Sequence, residues 1–356
     1  MEGGISLEEF KSENKGMELG LYTLGDHLEP QDNETSMTEY ERMKNIIEMA
    51  KMAEDVGLDV FGVGESHEKR FIASSPHTIM ANIAGMTKNI KLVSASTILS
   101  TLDPVRVYED FSTVDLLSDG RVEIIAGRGS RYGTYHLFGY DLNDYDELFE
   151  EKFELLHQLN EKQQITWEGK FRPALQDVSL YPKPLNGKLP IWRAVGQHFA
   201  SAIQAGKMGV PMHLAALYGA SSVFGKRVSA YRNAAKESGH DIEKLPIAVA
   251  TMMYIDKDSQ AAFKSYYPHL NHTFNQVRGV DFPREQYMQA NSIKNSMMVG
   301  SPQQIIEKIL YQYELFDHQR FVIQLDHGNM RHKKVMEMIE LFATEVAPAI
   351  RKATKN

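Results

Sequence analysis

The 356-residue sequence contains no cysteine. This absence excludes a structural zinc site built on thiolates, an iron–sulfur cluster and a thiol nucleophile. It is also typical of proteins from a reducing compartment. The chain has no run of about 18 uncharged apolar residues, so no segment is predicted to cross a membrane. The N-terminal sequence is polar and lacks the apolar centre of a signal peptide, and we therefore expect a cytoplasmic protein.

A large excess of one charge is also missing. The 47 acidic and 39 basic side chains leave a net charge of −8, which is unfavourable for binding nucleic-acid phosphates. Apolar residues make up 42% of the chain and charged residues 24%, both ordinary values for a globular protein. The sequence shows no internal repeat or low-complexity tract. We expect a globular chain with neither a nucleic-acid nor a membrane partner.

Eight short apolar runs rich in β-branched residues alternate with longer segments of helical period. Such alternation predicts a parallel sheet with helical crossovers, and eight units predict an α/β fold of the (β/α)8 TIM-barrel type. The predicted strands are Leu19–Thr23, Val60–Val63, Lys91–Ile98, Val122–Ala126, Ile191–Val195, Val210–Ala215, Ile247–Tyr254 and Phe321–Leu325.

Two helix starts are marked by strong local signals. Asp103 followed by Pro104 predicts an N-cap and the first helical residue of a helix that continues to about Leu117. Ser301 and Gln304 have the spacing of a capping box ahead of a second helix. Both helices fit the crossovers of the barrel.

Two intervals are too long for simple crossovers and predict insertions after the fourth and seventh strands. Residues 127–189 hold one helix and irregular proline-rich sequence, and residues 256–300 show no clean period. Long excursions on this fold commonly arise at the strand ends that carry active sites, so we expect walls or a lid; variable surface packing is the alternative. The expected domains are a polar N-terminal extension, 1–16, and a single barrel domain, 17–356.

Glycine and charge at two strand ends predict an anion site. A fifth strand, then Gly196 and Gln197, then a helix would place free backbone N–H groups at a positive helix end. Arg128 follows the fourth strand between two glycines and could reach the same anion. Taken singly, the glycine could be an ordinary turn and the arginine part of a structural ion pair.

Histidines at strand ends are candidate acid–base groups, since imidazole titrates near neutral pH. His67 follows the second strand and His327 the eighth, and either could instead be a packing residue. Together with Glu65 and His213 they could in principle bind a metal. However, the first strand supplies no His-x-His pair, and Gly196 stands where the fifth strand would supply a ligand, so no metal is expected. Walker, glycine-rich nucleotide and Gly-x-Ser-x-Gly motifs are absent.

Four ordered blocks resemble a known family. They are GLDVFGVGESH (57–67), DPVRVYEDFSTVDLLSDGRVEIIAGRGS (103–130), LPIWRAVGQ (189–197) and VGSPQQIIEKI (299–309). From about Met17 to Arg351 the chain resembles the bacterial luciferase-like flavin-dependent monooxygenases. The resemblance implies a (β/α)8 barrel, commonly a homodimer. It also implies use of O2 and of reduced FMN, delivered by a separate flavin reductase, to oxygenate a small organic substrate.

The resemblance also implies roles for particular residues. Arg128 matches the phosphate-binding arginine of the family, and Gly196 with Gln197 matches the turn that also holds the phosphate. Ala95 and Ser96 match the third-strand bulge under the flavin ring, which in luciferases contains a non-proline cis peptide.

The sequence departs from the family pattern at two places. At the sixth strand, small residues around Ala215 and Ala216 stand where luciferases have an aromatic that packs near the flavin. Luciferases carry two consecutive histidines after the second-strand glutamate, where this chain has Ser66 and His67. We therefore expect a reshaped substrate pocket without light emission, and His67 as the candidate catalytic residue for proton management. The alternatives are a deazaflavin-dependent oxidoreductase on the same fold, a non-catalytic flavin-binding relative, and a metal-dependent hydrolase.

Overall fold

Eight parallel strand positions close into a barrel in the computed structural model, which describes residues 16–30 and 37–355. The strands run β1 (Glu18–Thr23), β2 (Val60–Val63), β3 (Lys91–Ser94), β4 (Thr97–Ile98), β5 (Val122–Gly127), β6 (Ile165–Trp167), β7 (Leu175–Val178), β8 (Ile191–Val195), β9 (Met212–Ala215), β10 (Ile247–Ile255), β11 (Met298–Gly300) and β12 (Arg320–Gln324). The barrel order is β1-β2-β3/β4-β5-β8-β9-β10-β12, and β12 pairs again with β1. The predicted fold class is confirmed.

The helices surround this barrel and include both of those predicted from capping signals. They are α1 (Glu39–Asp55), α2 (Pro76–Ala84), α3 (Pro104–Leu117), α4 (Gly133–Phe138), α5 (Tyr145–Glu161), α6 (Phe199–Met208), α7 (Ser221–Glu237), α8 (Ser259–Arg278), α9 (Arg284–Met288), α10 (Pro302–Phe316), α11 (His332–Leu341) and α12 (Ala347–Thr354). The Asp103 carboxylate accepts a hydrogen bond from the Val105 N–H at 2.8 Å, and Ser301 forms the predicted capping box with Gln304. No helix in the described residues is long and apolar enough to cross a membrane.

The third barrel strand is split in two where a continuous strand is predicted. The peptide bond between Ala95 and Ser96 is cis, as the family resemblance implies, and it separates β3 from β4. Both pieces pair with β5, so the barrel wall is continuous around the interruption.

The two insertions contain more regular structure than the sequence suggests. The first holds α4, α5 and the antiparallel hairpin β6–β7. The second holds the 20-residue α8. The prediction that residues 256–300 lack a helical period is therefore wrong. Only one side of α8 is buried, and Pro268 lies inside it, which obscures the pattern because proline normally ends a helix. Of the predicted N-terminal extension, residues 1–15 lie outside the described residues.

An ion-pair cluster fills the amino end of the barrel interior. The guanidinium of Arg320 donates to both carboxylate oxygens of Glu123, at 2.6 and 2.8 Å, and the Trp192 indole N–H donates to the same carboxylate at 2.7 Å. Burial alone would raise the pKa of Glu123, but Arg320 lowers it to about 2. Buried charges therefore fill this end, and the carboxyl ends of the strands are where a ligand site is expected on this fold.

Candidate functional site

The carboxyl ends of β2, β3 and β5 meet at one rim of the barrel. The Glu65 carboxylate, just after β2, accepts a hydrogen bond from the Ile98 N–H at 2.8 Å. Arg131, from the loop after β5, donates to the hydroxyl of Ser66 at 3.3 Å. These contacts bring the predicted strand-end residues into one neighbourhood.

The cis segment Ala95-Ser96 lies between glycines that permit close backbone approach. A Cβ atom at Gly64 would lie 2.6 Å from the Ala95 carbonyl oxygen, and one at Gly127 would lie 2.6 Å from the Ser96 hydroxyl. Glycine is therefore required at both positions for this packing. Ala95 and Ser96 are half-buried, so part of the segment remains accessible.

Arg128 connects the end of β5 with α5 and α6. Its guanidinium donates to the Ser201 hydroxyl at 3.0 Å and to the Glu150 carboxylate at 2.6 Å, and it stacks over the Phe149 ring at 4.5 Å. Asp146 lies 3.1 Å from its Nε atom. Arg128 therefore does take part in ion pairs, as the alternative interpretation of this residue predicted. It also contacts the start of α6 through Ser201.

The turn that contains Gly196 and Gln197 leads directly into α6. The residue before α6, His198, provides no side-chain cap, and the first N–H groups of a helix have no partner within it. A Cβ atom at Gly196 would meet nothing within 4 Å, so open space adjoins the turn. Arg227, on α7, donates two hydrogen bonds to the Gln197 carbonyl, at 3.0 and 2.8 Å, and these fix the turn.

Sequence reasoning missed Arg193, Arg227 and Ser201 in this cluster. The side chain of Arg193 is fully buried and binds both oxygens of Glu150. Arg193 lies in a strand whose neighbours are apolar, and Arg227 lies thirty residues from the turn that it contacts. The one local signal was Ser201, which lies in the first turn of α6.

His67 is held by its neighbour on the same strand end. Its Nε2 atom lies 2.8 Å from Glu65 Oε1, while the other oxygen of that carboxylate is fixed by the backbone of β4. The Phe138 ring packs edge-on against the imidazole at 4.8 Å. The imidazole therefore has a defined orientation between Glu65 and Phe138.

A buried carboxyl pair at the ends of β1 and β12 was also missed. Asp326 accepts hydrogen bonds from Arg42 and the Thr23 hydroxyl, and Asp26 accepts them from Gln324 and a backbone N–H. Burial and the charge of Asp326 raise the pKa of Asp26 to about 6. This carboxyl can therefore hold a proton close to neutral pH.

The four side chains weighed as metal ligands do not form one group, although Glu65 and His67 are in contact. Burial lowers the pKa of His327 to about 4 and that of His213 to about 3, and the charges of Arg320 and Glu123 act on His213. His213 therefore belongs to the other end of the barrel from His67. Within residues 16–30 and 37–355, no three acidic or histidine side chains form a group that could hold a metal ion.

Residues 17–319 match the family model described as luciferase-like monooxygenase. The chain belongs to the luciferase-like monooxygenase family. It is 23% identical to an alkanal monooxygenase alpha chain from Photorhabdus luminescens, over 96% of this chain and 99% of that one. It is also 23% identical to the oxygenase component of a flavin-dependent trigonelline monooxygenase from Acinetobacter baylyi, over 92% and 95%.

Solved structures of luciferase-like proteins share the fold. Monooxygenase RslO1 from Streptomyces bottropensis superposes with a TM-score of 0.81 at 20% identity, covering 93% of this chain and 99% of that one. The oxygenating constituent of 3,6-diketocamphane monooxygenase from Pseudomonas putida, in complex with FMN, gives a TM-score of 0.75 at 19% identity, covering 94% of this chain and 98% of that one.

An F420-dependent glucose-6-phosphate dehydrogenase from Kribbella flavida is 24% identical over 87% of this chain and 95% of that one. Proteins that this chain resembles are therefore named with different cofactors, FMN in one case and F420 in the other.

Proposed function

We propose that this protein is an oxygenase that uses reduced FMN and O2 to oxygenate a small organic substrate. The observation that carries the proposal is the cluster in which Arg128 and Ser201 meet the uncapped start of α6, beside open space at Gly196. A guanidinium, a hydroxyl and free helix N–H groups are the donors that bind a phosphate. FMN carries such a phosphate at the end of its ribityl chain.

The charges of this cluster also suit an anion. Arg128, Arg193 and Arg227 bring three positive charges to the turn, against the carboxylates of Glu150 and Asp146. Three positive charges against two negative ones leave one positive charge in excess, which favours binding of an anion such as a phosphate.

Two further features suit a flavin. The Ala95-Ser96 segment is half-buried, lies next to two glycines and carries only small side chains, so a ring could lie against its backbone. Bound reduced FMN would supply the electrons for O2 activation. His67, oriented by Glu65, would hold or transfer a proton beside that ring.

A separate flavin reductase would supply the reduced cofactor. The relative from Acinetobacter baylyi is named as an oxygenase component, which supports a two-component system for this chain. The homodimer implied by the family resemblance stays a prediction.

A deazaflavin-dependent oxidoreductase is the second candidate, favoured by the relative named as F420-dependent. Anaerobic titration with reduced FMN and with a reduced deazaflavin, followed by admission of air, separates the two. We expect saturable binding of reduced FMN, and a rate of oxidation by air that differs from that of free reduced FMN. Binding of the deazaflavin alone would overturn the proposal, and binding of FMN without substrate-dependent O2 uptake would favour a non-catalytic role.

Replacing Arg128 by alanine tests the phosphate seat, which is the proposed phosphate-binding site formed by Arg128, Ser201 and the start of α6. We expect FMN to bind about 10- to 100-fold more weakly, because a hydrogen bond to a charged group contributes about 1.5–3 kcal/mol. Riboflavin, which lacks the phosphate, should bind with unchanged affinity. Arg106→Ala, which removes an exposed arginine on α3, serves as control. An unchanged FMN titration for Arg128→Ala would remove this residue from the site.

A further inference from the structure

The guanidinium of Arg128 is already in contact with carboxylates in the ligand-free protein. Glu150 accepts a hydrogen bond from Nη2 at 2.6 Å, and Asp146 lies 3.1 Å from Nε. Both acids come from the first turns of α5. A phosphate bound by Arg128 would therefore share its guanidinium with two negative charges.

The two acids differ in what else they hold. Glu150 also binds both terminal nitrogens of the fully buried Arg193, so its removal would leave a buried charge unpaired. The Asp146 side chain is 82% exposed, and Arg128 is its ion-pair partner among the described residues. Asp146 can therefore move away from Arg128 without leaving the buried charge of Arg193 unpaired.

The contact between Asp146 and Arg128 is also poorly aligned. Although the two atoms lie 3.1 Å apart, the buried Nε–H of Arg128 has no hydrogen-bond acceptor in the part of the chain that the structure describes. A buried donor without an acceptor carries a free-energy penalty, which a correctly placed phosphate oxygen would remove. In the ligand-free site, Asp146 thus neutralises the charge of Arg128 without accepting a hydrogen bond from its Nε–H.

We propose that Asp146 is a competing counter-ion that weakens the hold of Arg128 on the phosphate of FMN. The inference rests on the proposed function, because it requires the phosphate at Arg128. Carboxylates and phosphates accept hydrogen bonds from the same N–H groups of a guanidinium, so Asp146 must move aside or repel the incoming phosphate. An oxygenase fed by a reductase must bind and release its flavin, and a weakened phosphate contact favours release.

The variant Asp146→Asn removes the charge and keeps the shape of the side chain. We expect it to bind FMN about three- to fivefold more tightly, which is the change that an exposed ion pair of up to about 1 kcal/mol corresponds to. Riboflavin affinity should not change. The gain for FMN should shrink as salt is raised, because an exposed charge is screened.

Glu147→Gln is the matched control. Glu147 is the next residue on the same first turn of α5 and its side chain is 69% exposed, but it pairs with Lys170 at 2.8 Å. Both variants lose one negative charge near the same helix start, so effects of net charge and of the helix dipole are alike. The control should bind FMN as the unmodified protein does.

Fluorescence titrations of the full chain with FMN and with riboflavin, at low and high salt, decide between the outcomes. A selective gain for FMN in Asp146→Asn supports the proposal. Equal affinities of Asp146→Asn, Glu147→Gln and the unmodified protein for FMN would overturn it, as would an equal gain for riboflavin. If the unmodified protein itself does not prefer FMN to riboflavin, the phosphate seat of the proposed function fails, and this inference fails with it.

Discussion

Acid should destabilise this protein steeply, and His318 is one identifiable cause. Its ring is fully buried among Phe316, Phe321 and Tyr313, at centroid distances of 5.7–6.0 Å. Neither ring nitrogen has a hydrogen-bond partner among the described residues. Burial lowers the pKa of His318 to about 3, and the charge of Arg232 acts in the same direction.

The magnitude follows from the difference between folded and unfolded protein. An unfolded histidine has a pKa of about 6.5, so below that pH the unfolded chain binds a proton at this position. In the folded protein His318 does not bind a proton until about pH 3. The free energy of unfolding then falls by about 1.36 kcal/mol per pH unit. Between pH 6.5 and pH 5.0 this amounts to about 2 kcal/mol, a large part of a typical net stability of about 5–15 kcal/mol.

The variant His318→Leu tests this reasoning, because leucine has a similar volume and needs no hydrogen bond. Urea unfolding followed by circular dichroism should show equal or greater stability than the unmodified protein at pH 7.5. At pH 5.0 its advantage should grow by about 2 kcal/mol, whereas between pH 7.5 and 8.5 it should stay constant. An advantage that does not grow at pH 5.0 would refute the assignment of a buried neutral imidazole.

Two predictions concern the proposed site. Gly196→Ala should leave the unfolding midpoint unchanged, since a Cβ there meets nothing within 4 Å, yet weaken FMN binding and spare riboflavin because the methyl group enters the open space. Gly85→Ala, whose Cβ would lie 3.6 Å from the nearest atom, is the control, and unaltered FMN affinity in Gly196→Ala would place the phosphate elsewhere. His67→Ala should retain FMN affinity and lower substrate-dependent O2 consumption by about 100-fold, as for loss of a general acid or base. Removal of the exposed His136 is its control, and unchanged turnover would exclude a role for His67.

The fold was largely predictable because its signals are local. The β-branched runs, the N-cap at Asp103 and the capping box at Ser301 act within a few residues, and the structure contains the corresponding strands and helices. The helix α8 was not predicted because Pro268 lies inside it and proline normally ends a helix.

The chemistry of the barrel mouth was predictable only in part. Arg128 and the Gly196 turn could be named because glycines and charge stand next to strands in the sequence, and the family blocks indicated the same positions. Their shared partners could not be named. Glu150, which joins Arg128 to Arg193, lies on a helix whose pattern shows only which side is buried.

The sequence by itself determined most of the strands and helices, and where glycine and charge accumulate at strand ends, because these follow from contacts within one or two turns. Only the tertiary structure decided which charges meet. Asp26 and Asp326 are 300 residues apart and face each other because β1 and β12 close the barrel. Electrostatic energy depends on distance and burial in three dimensions, and neither can be read from the order of the residues alone.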